Sequence, residues 1–412
     1  MLIAGEASGD LLAAELVQAL REEIPRSEAA PTWDYQPLQA SLEPRFFGAG
    51  GPRMAAAGVE LAFDMTEHSV VGVSEVLKNL LKFRRLFRQL YHLALERQPE
   101  AIIGVDFSGF NCRFAHAIKR YVRSSRDWFH AWDPKIVQYV SPQVWASREA
   151  RVYQMEHDYD LLVSILPFEK EWYAERVPRL RVEFVGNPII DRHPDVGRAA
   201  KPLSDRHASS SPTVLLLPGS RVKELKRHLP VFFGALARMR ATLPQFQARM
   251  VLATDALVTL AKATGLPAHL EVRTGALAQS LAEADVAIAS TGTVTLECAY
   301  FRVPTVAIYK AAWSDYQIAR HIVNVQYLAM PNLLAHEEIF PEFIQQAATP
   351  ENIARAALEL LRDEKRRAEV KTKLATIVAQ LGTPGASRRA ARAIARRMEP
   401  EAAVVNSQAE AT

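Results

Sequence analysis

The chain opens on Leu2-Ile-Ala-Gly-Glu-Ala-Ser-Gly-Asp10, a short apolar strand running straight into a glycine-flanked loop. Leu11 to Leu20 then carries apolar residues at helical spacing. A strand, a tight turn and a helix N-terminus gather backbone N–H groups and a positive dipole end at one point. Such a point suits an anion or a hydroxyl-rich ligand. The spacing is not G-x-G-x-x-G and lacks a Walker lysine, which argues against dinucleotide and P-loop readings. The pattern recurs downstream. Val214 to Arg221 is a strand ending in Gly-Ser-Arg, and Ser290-Thr-Gly-Thr-Val-Thr-Leu-Glu297 follows the apolar run Val286 to Ala289. Gly/Ser/Thr loops between strand and helix in both halves predict an α/β chain of two Rossmann-like domains facing one cleft.

Composition agrees. The 412 residues, 49% of them apolar, can build two cores. Cys112 and Cys298 are far apart in apolar segments, so they read as buried thiols rather than a disulfide, and no metal-ligand spacing is present. The chain enters its first strand with no signal peptide, and that strand is so short that a start trimmed by several residues is expected. No apolar run is long enough to span a bilayer, so a cytoplasmic protein is expected. A net charge of +4 and a pI near 9.0 suit a phosphate-bearing ligand or an anionic membrane surface. Nothing resembles the interleaved basic and aromatic residues of a nucleic-acid binder.

Strands and helices alternate throughout. Further strands are read at Phe46, Ala101 to Val105, Ile136 to Val140, Leu161 to Ile165 and Val182 to Val185. In the second half they fall at Val214, Ala248 to Leu252, Ala284 to Ile288 and Thr305 to Ile308. Residues 1–192 form the first domain. The polar, Pro- and Ser-containing 193–212 form a linker, and 213–381 form the second domain. A helix over 382–398 could pack on either, and the tail 399–412 is expected to be disordered.

Several motifs occur in a fixed order: Gly5-Glu-Ala-Ser-Gly-Asp10, Gly48-Ala-Gly-Gly-Pro-Arg-Met54, Ser141-Pro-Gln-Val-Trp-Ala146, Leu166-Pro-Phe-Glu169 and Gly186-Asn-Pro188. Leu217-Pro-Gly-Ser-Arg221 with Glu224, Ser290 to Glu297, and Leu328-Ala-Met-Pro-Asn-Leu-Leu334 complete the set. The ordered set, covering about residues 2–346, resembles the lipid-A-disaccharide synthase family of GT-B fold glycosyltransferases. The resemblance implies a reaction in which UDP-2,3-diacylglucosamine donates its sugar to 2,3-diacylglucosamine 1-phosphate. The products are a β-1,6-linked disaccharide and UDP. It also implies no cofactor, an acceptor-side first domain, a UDP-sugar-binding second domain and peripheral association with the inner membrane. A homodimer is left open.

Inverting glycosyl transfer needs a base for the incoming hydroxyl and stabilisation of a departing diphosphate. Asp106 ends a strand, where ligands sit in open α/β sheets. From the residues alone, base and helix cap are equal alternatives, and the resemblance selects the base. Gly109 stands where the family often has a second Asp, a departure expected to change how the loop packs. Asp158-Tyr-Asp160 is formally a D-x-D metal motif of another glycosyltransferase fold. Leading directly into a strand, it reads instead as solvated residues, and no metal is expected. Arg221, with Ser220 at a helix start, is the candidate for the diphosphate; its plain alternative is an ion pair with Glu224 or Glu169. Ser290, Thr291, Gly292 and Thr293 offer hydroxyls and close backbone approach, and Glu297 is placed like a ribose-binding carboxylate. An ordinary capped helix would look similar. Asn332 matches a family active-region Asn. Glu6, Ser8 and Asp10 are expected at the cleft, without separate roles.

Between Val70 and Leu93, Val76, Leu80, Phe83, Phe87 and Leu90 form a helical stripe widened by Leu77, Leu81 and Leu86. Lys78, Lys82, Arg84, Arg85 and Arg88 are interleaved. A core helix with a solvated basic face fits such a pattern. Because the implied substrates are acylated, interfacial docking of part of this helix is the expectation. Val71 and Ser147, where the family usually has Met and Trp, are further departures. The competing functions are another GT-B enzyme, either a cell-wall hexosamine transferase or a UDP-sugar epimerase, and a non-catalytic membrane-associated sugar-nucleotide-binding protein. The last would give Asp106 no role.

Overall fold

The computed structural model describes residues 1–24, 43–66, 80–125, 131–194 and 211–399. The chain divides into two units. The first is Met1–Pro188 joined by the chain from Thr383 onward, and the second is Ile189–Gly382. The first unit thus ends four residues before the boundary read from the sequence. Most of the expected linker, and the tail beyond Glu399, lie outside the described residues.

The first unit is built on β1 (Leu2–Ala4), β2 (Phe47–Gly50), β3 (Glu60–Asp64), β4 (Ala101–Val105), β5 (Lys135–Tyr139), β6 (Leu161–Ser164) and β7 (Val182–Phe184). They form one parallel sheet in the order β3-β2-β1-β4-β5-β6-β7. The second unit holds β8 (Thr213–Leu217), β9 (Gln247–Leu252), β10 (Leu270–Thr274), β11 (Val286–Ser290), β12 (Thr305–Tyr309) and β13 (Glu342–Ile344). These are also parallel, in the order β10-β9-β8-β11-β12-β13. Central strands such as β4, β8 and β11 are buried along their whole length, which is why they read as unbroken apolar runs. The edge strands β3, β10 and β13 are half-exposed and mixed in polarity, and the sequence reading does not contain them.

The sheet of the first unit carries a core on both faces. One face packs Leu12, Leu16 and Leu20 of the helix Ala7–Glu23 with Ala390, Ala391 and Ile394 of the helix Ala386–Met398. Glu23 pairs with Arg392 and Arg388, whose hydrogen bonds hold its carboxyl below the usual range. The final helix therefore belongs to the first unit. The other face packs Phe114 and Ile118 of the helix Ser108–Ser125 with Leu90 of the helix Leu80–Arg97.

Both strand orders contain one point where the direction of winding reverses: between β1 and β4 in the first sheet, and between β8 and β11 in the second. Loops leaving the carboxyl ends of such a strand pair diverge and leave a crevice for ligand. The Gly5–Asp10 loop and Asp106 leave β1 and β4. Pro218–Arg221 and Thr291–Thr293 leave β8 and β11.

Candidate active site

In the first unit the chain turns from β1 at Gly5 into the helix Ala7–Glu23, with Glu6 as an extended N-cap residue whose side chain makes no capping bond. Gly5 is required because a Cβ there would overlap the Phe107 ring. Beside it, Asp106 and Phe107 adopt left-handed backbone conformations, with φ of 52° and 42°. Each such residue costs on the order of 1–3 kcal/mol and persists only where its surroundings hold it. Here the Asn111 and Gln138 side-chain amides donate to the Asp106 carbonyl at 2.9 and 2.7 Å, and the Asp106 N–H donates to Tyr139 O at 2.9 Å. The Phe107 ring stacks on Phe110 at 5.7 Å. The result is a half-buried Asp106 carboxylate at the switch point, with the Ser8 hydroxyl donating to it at 3.3 Å.

Asp10 of this loop and the two D-x-D carboxylates, which lie at the amino end of β6, have other partners. Asp10 is buried and accepts the backbone N–H groups of Gly51, Arg53 and Met54 at 2.8–3.0 Å. It fastens the N-terminus of the helix Pro52–Ala56. Asp158 is not a solvated strand-start residue. It is buried, with His116 at 2.9 Å and Arg123 at 3.7 Å. Asp160 pairs with Lys119 at 2.9 Å and accepts the Ile136 N–H. The D-x-D pair is thus held by protein cations. Among the described residues no cluster of three or more His, Cys, Asp or Glu is placed for a metal. At Gly109 a Cβ would meet nothing within 4 Å, so a side chain has room to start there. Glu169, buried, accepts Ser141, Ser164 and Trp145 and ties the loops after β5 and β6 together. Its burial raises its pKa, and those bonds oppose the rise.

In the second unit Gly219 has φ of 110°, and a Cβ on it would lie 2.7 Å from Glu224 and 3.6 Å from Ser290 Oγ, so the β8 and β11 loops adjoin. Ser220 is exposed. Arg221 is the N-cap residue of the helix Val222–Thr242, and its guanidinium lies 3.2 Å from Glu224. Ser290 is buried at the end of β11, and the Thr291 N–H is used by Ile308 O. Gly292, φ 119°, precedes the helix Thr293–Tyr300, which no side chain caps. Elsewhere in this unit Thr254, Thr349 and Asp363 cap their helices. Glu297 is half-buried one turn into that helix. Burial raises its pKa, against a lowering by Arg192.

Asn332 is fully buried, and its amide is saturated. It donates to Phe340 O and Glu342 at 2.7 and 2.8 Å, and accepts the Ile339 and Phe340 N–H groups at 2.9 and 2.8 Å. Its side chain ties the segment around 332 to the entry of β13. Glu342 also accepts the Leu328 and Ala329 N–H groups at 2.9 Å, which fixes the segment whose Met330 N–H donates to Thr295 Oγ1 at 3.1 Å. Thr295 Oγ1 in turn donates to the Gly292 carbonyl at 2.6 Å. His228, buried, contacts Pro218 O through Nδ1 at 2.7 Å and accepts the Lys310 N–H on Nε2 at 3.1 Å. Sequence reasoning singled out none of Thr295, His228 and Glu342: Thr295 lies unremarked inside the Ser290–Glu297 motif, and the other two lie in no motif.

The basic helix is described from Leu80, so Val76, Leu77, Lys78 and Val71 lie outside the described residues. Leu86 and Leu90 are core, while Lys82, Arg84, Arg85 and Arg88 are exposed and Leu81 is 82% exposed. Leu81, Arg84, Arg85 and Arg88 line a groove against Phe63 of β3. Among the described residues no helix is long and apolar enough to cross a membrane.

Two Rossmann-like units, each with a parallel sheet and loops gathered at its switch point, define the GT-B glycosyltransferase fold. A UDP co-structure of S. aureus MnaA superposes with a TM-score of 0.59 at 12% identity, covering 94% of this chain and 93% of that one. The glycotransferase of kitacinnamycin superposes at 0.56 with 17% identity, covering 97% and 98%. The family model for lipid-A-disaccharide synthetase matches residues 1–396. The lipid-A-disaccharide synthase of Nitrosococcus oceani is 36% identical over 395 residues, 94% of this chain and 93% of the relative. The chain belongs to the lipid-A-disaccharide synthetase family, glycosyltransferases that form the lipid A disaccharide.

Proposed function

We propose that the chain transfers the sugar of UDP-2,3-diacylglucosamine to the 6-hydroxyl of 2,3-diacylglucosamine 1-phosphate, with inversion, at the edge of a membrane. Asp106 takes the hydroxyl proton as the oxygen attacks the anomeric carbon. The bond from that carbon to the diphosphate breaks, and UDP leaves with its electron pair. Ser8 orients the carboxylate of Asp106. In the second unit, Arg221 and the Gly292–Thr293 helix start meet the diphosphate, with Ser220, Ser290 and Thr291 around it, and Glu297 accepts the ribose hydroxyls. Asp10 and Asn332 act from behind, as anchors of these loops. The exposed Arg84, Arg85 and Arg88 draw the enzyme to an anionic leaflet, at about 1 kcal/mol each.

The observation that carries this reading is the strained, pinned Asp106 carboxylate at the switch point of the first sheet. The test is UDP release with and without a diacylated glucosamine 1-phosphate acceptor, followed by mass spectrometry of the product. Acceptor-dependent release and a disaccharide 1-phosphate are expected. Equal UDP release without acceptor, or no disaccharide, would replace the reading with hydrolysis or epimerisation.

A further inference from the structure

Arg113 lies in the helix Ser108–Ser125, which leaves β4. Arg148 and Arg151 follow β5, with Arg151 the first residue of the helix Arg151–Asp158. Two ion pairs set these helices side by side. Asp158 lies 2.9 Å from His116 and 3.7 Å from Arg123, so the end of its helix stands level with the middle of the other. Both helices follow strands of one parallel sheet and run the same way. About two turns back on each, Arg151 stands level with Cys112 and Arg113. Arg148 adjoins, because its carbonyl accepts the Arg151 N–H at 3.0 Å. Arg113 and Arg148 are exposed and Arg151 is half-buried, and among the described residues no carboxylate pairs with any of the three. Burial, and then the charge of Arg148, lowers the Arg151 pKa; Arg113 adds to this and Cys112 opposes it. Glu149, the carboxylate between Arg148 and Arg151 in the chain, is drawn off by Arg176 at 2.6 Å.

The arrangement works against the fold. Like charges repel, a cation at a helix start opposes the helix dipole, and Arg148 holds a left-handed backbone with φ of 61°. Yet the loop that carries it is firmly held. Glu169 accepts from Ser141 and Trp145 at 2.5 and 2.9 Å, and the Tyr173 hydroxyl donates to Pro142 O at 2.7 Å. A fixed cluster of guanidiniums without carboxylates suits a phosphate dianion.

We propose that Arg113, Arg148 and Arg151 bind the phosphate monoester of the acceptor. This rests on the reading that the acceptor is a sugar 1-phosphate. The cluster lies where that reading needs an anion site. The helix that carries Arg113 begins two residues after Asp106, and Asn111 near its start donates to the Asp106 carbonyl at 2.9 Å. The 6-hydroxyl and the 1-phosphate stand on opposite sides of one pyranose ring. A phosphate held one sugar width from Asp106 therefore turns the 6-hydroxyl towards its carboxylate. The donor's diphosphate is assigned to the second unit, so the two anions are read by separate sets of groups.

The experiment compares 2,3-diacylglucosamine 1-phosphate with the same acceptor lacking its phosphate. It uses the full chain as wild type, as Arg113→Gln, Arg148→Gln and Arg151→Gln, and as the triple variant. Wild type should prefer the phosphorylated acceptor. The triple variant should lose about ten-fold or more of that preference, through the acceptor KM, with UDP affinity held. Because the cluster repels itself, the melting temperature of the variants should hold or rise. Equal preference in wild type and triple variant would overturn the proposal. So would a lower melting temperature, which marks a structural role, or weaker binding to phosphatidylglycerol vesicles with the acceptor preference intact, which marks a lipid-headgroup contact. Should wild type form no disaccharide, the reading of the acceptor fails. The cluster is then judged by phosphorus NMR of glucosamine 1-phosphate, with UDP in excess to fill the second unit. Broadening of its resonance by wild type but not by the triple variant upholds the site, and equal broadening removes it.

Discussion

The two switch points solve the same problem in opposite ways. In the first unit a single carboxylate is presented by strained backbone: Asp106 and Phe107, with Val140 across the next strand end, all have positive φ without being glycine. Amide side chains and stacked rings hold that geometry. In the second unit the turns are made by Gly219 and Gly292, for which positive φ carries little strain, and what is presented is backbone, hydroxyls and an uncapped helix start. The first arrangement suits a group that must deprotonate one hydroxyl. The second suits a charged leaving group that needs several donors at once.

The sharpest way to break this comparison is Asp106→Asn. The change keeps size and most hydrogen bonding but removes the proton acceptor, so kcat should fall about 10²–10⁴-fold. UDP affinity, assigned to the second unit, should hold. A folded variant with near-normal turnover at saturating acceptor would reduce Asp106 to a structural residue. Next in size is Gly5→Ala. The added methyl must push Phe107 and with it the Asp106 backbone, and a displacement of about 1 Å can cost as much as 10²-fold in rate. The loss should appear in kcat, with UDP binding unchanged by calorimetry. A loss in UDP affinity instead would mean that the first-unit loop does not act on its own.

For the second unit the corresponding change is Glu297→Ala. Losing a charged hydrogen bond to ribose costs roughly 1.5–3 kcal/mol, or ten-fold and more in UDP affinity. An unchanged dissociation constant would leave Glu297 as a dipole-compensating residue and move ribose recognition elsewhere. Because Asp158 and Asp160 are held by His116, Arg123 and Lys119, turnover should also be insensitive to EDTA. Loss of activity restored by Mg²⁺ would return the D-x-D pair to the site.

The comparison also explains what could be read without coordinates. Buried strands and glycine turns leave local signatures, so both sheets and all four switch-point loops were legible. Edge strands such as β10 are half-exposed, and their mixed pattern looks like loop. Polar residues were the harder case. Asp10 and Asn332 sit inside motifs and look like ligand contacts, yet each is buried with its oxygens taken by backbone N–H groups. Nothing local distinguishes a polar side chain that faces a ligand from one that ties down the loop that does. The partners of Asp10 lie 41 to 44 residues away, and those of Asn332 wait on where β13 pairs. The same limit hid Gln138, whose amide pins Asp106 from the neighbouring strand.

That pinning yields the smallest expected effect. In the first unit the tie between strand ends is an amide, Gln138, which does not titrate. In the second it is an imidazole, His228, which bridges Pro218 after β8 and Lys310 after β12. The carbonyl of Pro218 needs a donor and the N–H of Lys310 needs an acceptor, so the folded state holds neutral His228 with its proton on Nδ1. Burial lowers its pKa, and the bond to Pro218 only partly opposes this. Above the ordinary imidazole value both folded and unfolded chains are neutral here, and the full stability is present. As pH falls through that value the unfolded chain takes up the proton first, and stability is lost until the lower folded pKa is reached. Thermal unfolding of wild type should therefore shift down by a few degrees across this mildly acidic window relative to His228→Gln, a change that keeps one donor and one acceptor. Taking the difference between the two proteins removes the contributions of carboxylates such as the buried Glu169 and the half-buried Glu342, which both share. Parallel profiles would show that His228 keeps its proton balance on unfolding, and that the two ties differ in shape but not in chemistry.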